Sequence, residues 1–153
     1  MPRYGYADWH VPYAPGELTA LGYDHGQRVA RYTTHTAGPP AALQLRAEVQ
    51  RLTANGEAVA PIQVAVVDTQ GRVVPDADLL IHFSVSGAGT IAGVANGDPA
   101  SHEANVANQR KAFRGLCMVL VRAGDQAGAI AVTAQARGLV PAHLVIDATR
   151  EAK

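Results

Sequence analysis

Apolar and polar residues alternate with a period of two along most of this chain. In "ALQLRAEVQ" (42–50), Leu43, Leu45, Ala47 and Val49 fall on one face, and Gln44, Arg46, Glu48 and Gln50 on the other. "LLIHFSVS" (79–86) sets Leu79, Ile81, Phe83 and Val85 against Leu80, His82, Ser84 and Ser86. "AIAVTAQAR" (129–137) repeats the pattern with Ile130, Val132, Ala134 and Ala136 on one side. Period two is the signature of strands with one buried face. "PIQVAVVD", "TIAGVA" and "AHLVIDA" are further strand segments, and "AFRGLCMVLVR" is apolar on both faces from Cys117 to Val121, as a central strand requires. The segment 41–51 contains good helix formers, but its period of two and its β-rich neighbours favour a strand.

Turn signals separate these runs. "ANGEAV" (54–59) and "TQGRVVPDAD" (69–78) are loops, and fifteen glycines and nine prolines suit turns better than helices. Near the start, "LTALGY" and "QRVARYTTHT" flank "DHG", a hairpin signal. "TAGPPA" (36–41) breaks the pattern with an extended connector, which places a boundary there. The expectation is all-β: an immunoglobulin-like β-sandwich of about seven strands over residues 37–148, with an extra N-terminal hairpin in residues 1–36 and a tail at 149–153. The opening "MPRYGYADWHVPY" enters strand-like sequence at once and reads as if cut from a longer chain.

Composition removes several classes of function. Thirteen basic residues balance thirteen acidic ones, and no basic stripe points to nucleic acid. No apolar run approaches the roughly 18 residues of a membrane span, so neither nucleic acid nor membrane is an expected partner. Cys117 is the only cysteine and lies in the apolar run "LCMVLV"; a buried, inert thiol is expected, and no CxxC zinc pattern exists.

The densest chemistry is "VANGDPASHEAN" (94–105). A zincin helix needs His-Glu-x-x-His, but His102-Glu103 is followed by Ala104, Asn105 and Val106. Asp98 starts no calcium-loop series, and no Gly-x-Ser-x-Gly elbow occurs. Asn96-Gly97 reads as a turn, continued by Asp98-Pro99. Asn96, Gly97, Asp98, His102 and Glu103 are therefore expected to organise a loop, with no metal, cofactor or catalytic role. Asp76 and Asp78 share a loop and are expected in solvent, and His82 faces away from its strand's apolar set. All five tyrosines and the only tryptophan fall between Tyr4 and Tyr32. Trp9, Tyr13 and Tyr23 are candidates for an interface or for stacking on sugar.

Specific motifs carry a resemblance. Trp9, Val11, Tyr13, Pro15, Gly16, Leu18 and Ala20, followed by Thr36, Ala37, Gly38 and Pro40, resemble a stretch of bacterial β-galactosidases of glycoside hydrolase family 2. In that family this stretch closes a small sandwich domain and leads into a connector. "ANGEAVAPIQVAVVDTQGRVVPDADLLIHFSVSGAGTIAGVANGDPASHEA", "AFRGLCMVLVRA" and "GAIAVTAQARGL" resemble the family's last domain. The resemblance covers nearly the whole chain. It implies a C-terminal piece of a larger retaining β-galactosidase, whose relatives include secreted and periplasmic enzymes; the compartment itself stays open. Nothing corresponds to the catalytic barrel, so Glu17, Glu48, Glu57, Glu103 and Glu151 take no catalytic role. The implied function is a non-catalytic accessory module whose partners are the enzyme's other domains. Residues 1–36, read as the last strands of a preceding sandwich, would order by packing on the main domain or by pairing with a second copy. The rival reading is a carbohydrate- or surface-binding module in its own right.

Overall fold

The alternating segments become strands because each has a face of β-branched and aliphatic side chains to bury. The structure, a computed structural model, describes residues 7–150 and contains no helix among them. The chain divides into two compact units, one ending at Thr36 and the next beginning at Ala37.

In the first unit, β1 (Glu17–Asp24) and β2 (Gln27–His35) form an antiparallel ribbon with Glu17 opposite His35. His25 (φ 46°) and Gly26 (φ 79°) make the turn. Two successive left-handed residues give the primed turn whose twist matches the flanking strands.

The second unit holds β3 (Ala42–Ala47), β4 (Arg51–Thr53), β5 (Val59–Val67), β6 (Leu80–Gly87), β7 (Gly89–Ala95), β8 (Gln109–Lys111), β9 (Leu116–Ala123), β10 (Gly128–Gln135) and β11 (Ala142–Thr149). One sheet runs β4-β11-β10-β6-β8 and the other β3-β5-β9-β7. This is the expected immunoglobulin-like sandwich. Its strands exceed the expected seven by the two three-residue edge strands, β4 and β8. β9 lies between β5 and β7, but only one of its faces is buried: Cys117, Val119 and Val121 point into the core, whereas Met118 is exposed, because the outer face of a sandwich sheet meets water.

The core lies between the sheets. Ile62, Val64 and Val66 of β5 join Val119 and Val121 of β9; across the gap stand Ile81, Ile130, Val132 and Ile146, all fully buried. Each such side chain contributes about 1.5–3 kcal/mol relative to exposure.

Three further sequence expectations change. Val49 does not share the inward face of Leu43: it is 44% exposed, because β3 ends at Ala47 and the chain crosses to the opposite sheet before β4. β8 carried no periodic signal, since "QRK" has no apolar face; it forms by pairing Leu80 with Lys111 and His82 with Gln109. Thr149, placed with the tail, ends β11, and its carbonyl accepts the Ala54 amide at 2.8 Å.

Edge strands invite unwanted pairing unless they are covered. The outer edge of β3 is met by Val140, whose carbonyl accepts the Leu43 amide at 2.9 Å. The outer edge of β7 is met by Asn105, whose carbonyl accepts the Val94 amide at 2.8 Å.

Candidate functional site

The loop between β7 and β8 holds most of the candidate residues, and its centre is Arg110. Arg110 lies opposite the fully buried Ile81 and so projects toward the core side of its edge strand. It is 5% exposed. A guanidinium there must find acceptors, because an unpaired buried charge costs several kcal/mol. Its Nη1 donates to the Glu103 carbonyl at 3.1 Å and to Asn105 Oδ1 at 3.2 Å, and its Nη2 to Asn96 Oδ1 at 3.1 Å. Nε lies 3.6 Å from Glu103 Oε2, an ion pair too long for a hydrogen bond.

The loop residues close around that cation. Asn96 Oδ1 also accepts the Asp98 amide at 3.1 Å, and Asn96 Nδ2 donates to the Lys111 carbonyl at 3.0 Å. Gly97 takes the left-handed turn position (φ 73°). Asp98 Oδ1 accepts the Ala100 amide at 2.9 Å, a local turn bond of the type Asp favours. Glu103 Oε1 accepts the Lys111 amide at 3.1 Å, and Oε2 accepts the Ser101 hydroxyl at 3.3 Å. His102 is exposed and makes no hydrogen bond or ion pair among the described residues. The loop thus joins Asn96, Asp98 and Glu103 in one network and leaves His102 outside it.

This arrangement ties the two sheets together at their open side. Asn105 O accepts from Val94 in one sheet, and Asn108 O accepts from Phe83 in the other at 2.8 Å. Both Glu103 oxygens are engaged by protein groups. No group of three or more metal-ligating side chains occurs among the described residues.

A second buried polar residue, Asp68, was read from sequence only as the end of a strand. It is 2% exposed. Oδ2 accepts the Gly38 amide at 2.8 Å, and Oδ1 accepts those of Gln70 and Arg72, each at 2.9 Å. The Gly38 bond, then those from Arg72 and Gln70, hold its pKa below the usual range. Sequence gave no sign of Arg110, which sits in a uniformly polar run. For Asp68, the Gly three residues later was a usable turn signal. Asp76, Asp78 and His82 are exposed, and Cys117 is buried, its thiol pushed up to about 12 by desolvation.

The described aromatics of the first unit are exposed. Trp9 is 71%, Tyr13 80% and Tyr23 62% exposed; Tyr4 and Tyr6 lie outside the described residues. The ribbon is two-faced. Glu17, Thr19, Leu21, Arg31, Thr33 and His35 share one face by register, laced by Thr19–Glu17 (2.7 Å), Thr19–Thr33 (2.9 Å) and Arg31–Glu17 (3.3 Å) contacts. Leu18, Ala20 and Tyr32 share the other, and Leu18 and Tyr32 are exposed there.

Comparison with known proteins gives a consistent result. The profile of glycoside hydrolase family 2 C-terminal domain 5 matches residues 43–145. A domain of unknown function matches residues 2–30. The chain is 39% identical over 140 residues to beta-galactosidase BoGH2A of Bacteroides ovatus, covering 92% of this chain and 16% of that protein. It is 30% identical over 131 residues to a beta-glucuronidase of Formosa agariphila, covering 84% of this chain and 13% of that protein. A crystal structure of a glycosyl hydrolase family 2 member from Bacteroides cellulosilyticus superposes with a TM-score of 0.90 at 37% identity, covering 93% of this chain and 18% of that one. The chain thus spans about a sixth of the length of the first of these relatives.

Proposed function

Since the chain belongs to the C-terminal domain family of glycoside hydrolase family 2, we propose that it is a non-catalytic accessory module of a glycosidase. The enzyme it serves is a retaining hydrolase of terminal β-galactosides, and the module supports packing between domains or subunits. The observation that carries this reading is the two-faced β1–β2 ribbon. One face carries the Glu17, Thr19, Thr33 and Arg31 hydrogen bonds beside an exposed Leu21, while Leu18 and Tyr32 on the other face are exposed with no such lacing. A two-stranded ribbon is marginal alone, and an exposed apolar face of this kind marks a surface built to be covered. Residues 1–36 act as the closing strands of a preceding sandwich.

Sedimentation and thermal unfolding of the whole chain, beside a shortened chain beginning at Gly38, test the reading. Self-association confined to the whole chain supports it; identical monomeric behaviour and stability would count against it. A chromogenic galactoside should not be turned over. The exposure of Trp9 and Tyr13 favours the second reading, a carbohydrate-binding module. Saturable galactoside or polysaccharide binding, lost in Trp9→Ala, would establish that reading instead.

A further inference from the structure

The end of the five-stranded sheet, where β10 stops beside β6, carries a cleft of about 430 Å³ lined by Leu79, Leu80, His82, Gln135, Ala136 and Arg137. Its origin is topological. β10 ends at Gln135, opposite His82, whereas β6 continues to Leu80. The chain leaves the sheet in the turn Ala136–Leu139, closed by a hydrogen bond from the Leu139 amide to the Ala136 carbonyl and with Gly138 at φ 79°. Gly at the third position of such a turn leaves Arg137 at the second, free to project. The end of β6 therefore lacks a neighbour on that side. Half-buried Leu80 points outward there and, with the edges of Leu79 and Ala136, which pack against the core, makes a small apolar floor.

The one charged side chain that lines the cleft, Arg137, is cationic. Arg137 and His82 are exposed, and neither makes an ion pair among the described residues. Lys111 lies directly across from Leu80, and Gln109 across from His82, so both share the outward face. Gln135 completes the rim. No carboxylate lines the cleft, although the chain as a whole has no net charge.

We propose that this cleft binds a carboxylated sugar, a uronic acid unit. The guanidinium of Arg137 offers a planar fork matched to a carboxylate. Gln135, Gln109 and His82 suit hydroxyls, and the leucine floor suits the C–H face of a pyranose ring. A simple inorganic anion would leave the floor and the amides unused. The site lies wholly within the sandwich unit, and its residues are none of those that carry the accessory reading.

The test is an amide chemical-shift titration of the isotope-labelled chain at low salt. The probes are glucuronate, glucose and a short Glu-rich peptide, because an acidic protein segment presents the same carboxylate. Glucuronate is expected to saturate with a Kd on the order of 1 mM, with shifts centred on His82, Gln135 and Arg137. Arg137→Gln should weaken it about tenfold with unchanged thermal unfolding, and Trp9→Ala should leave it unaltered. Glucose should not saturate. Equal response to glucose and glucuronate, or undiminished binding in Arg137→Gln, overturns the proposal. Peptide binding as tight as or tighter than glucuronate overturns it as well, by assigning the cleft to a protein carboxylate.

Discussion

The carboxylate of Asp68 accepts the Gly38 amide at 2.8 Å across thirty residues of chain. That bond fixes the start of the sandwich unit to the end of β5. Two more amides, from Gln70 and Arg72, converge on the same side chain, so one buried carboxylate satisfies three donors that no strand partner reaches.

Asp68 should therefore make stability depend on pH. Its folded pKa is depressed below the ordinary value near 3.8. Such a group contributes stability that is present above the unfolded pKa and is lost as pH falls through the folded pKa. Asp68→Asn is expected to lower Tm by several degrees at pH 7, and the gap to wild type should narrow below about pH 4. Thermal melts across pH 2–7 check this (~5 points suffice). A gap that stays constant throughout would show that the ionised form has no special place in the fold.

Arg110, more than Asp98, should govern the β7–β8 loop. Arg110→Met leaves Asn96, Asn105 and the Glu103 carboxylate facing a buried apolar side chain, at a cost of about 2–4 kcal/mol. Asp98→Ala removes one exposed turn bond to Ala100, at about 0.5–1 kcal/mol. Urea unfolding of both variants gives the comparison. Equal losses would mean that the loop is held by its turns and not by the guanidinium.

The contrast between these two residues shows what sequence carried. Alternation marked the inward faces of β3, β6 and β10, because strand period and burial are both local consequences of the backbone, whereas the run in β9 was apolar on both sides and left its inward face open. The Asn96-Gly97 turn was equally legible, since positive φ is a property of the residue itself. Arg110 was not, because its importance comes from standing opposite Ile81 across a sheet, a pairing that only the folded topology creates. Val49 failed for a related reason. Its period continued that of β3, but the chain had to change sheets at that point. Asp68 lay between: its turn could be read, but its bond to Gly38 depends on contact between distant segments.

Two glycines with the same dihedral separate backbone strain from steric exclusion. Gly71 and Gly115 both have φ of 77°. Around Gly71 there is open space, whereas a Cβ on Gly115 would be driven into the Val74 carbonyl. Gly71→Ala should cost about 1–2 kcal/mol, the price of a left-handed alanine. Gly115→Ala should cost clearly more, since the clash is with backbone that itself donates to Val66. Calorimetry of the pair reads the difference; similar Tm values would show that the strand entry at Gly115 can shift freely.

Cys117 offers an internal reporter of opening. Its side chain faces the core from β9, and desolvation pushes the thiol up to about 12, with the Arg110 charge acting the other way and Glu103 reinforcing the rise. At pH 8 the native thiol should resist alkylation, because thiolate and reagent access both require opening. Arg110→Met removes the charge that favours the thiolate, so a purely electrostatic effect would slow labelling further. A loss of 2–4 kcal/mol of stability predicts the reverse: labelling faster by roughly 30- to 1000-fold, at 1.4 kcal/mol per tenfold, when reaction proceeds through unfolding. Mass spectrometry of alkylation time courses distinguishes the signs. Slower labelling in the variant would show that Arg110 tunes the thiol without holding the seam, and rapid labelling of the wild type would contradict the burial of Cys117.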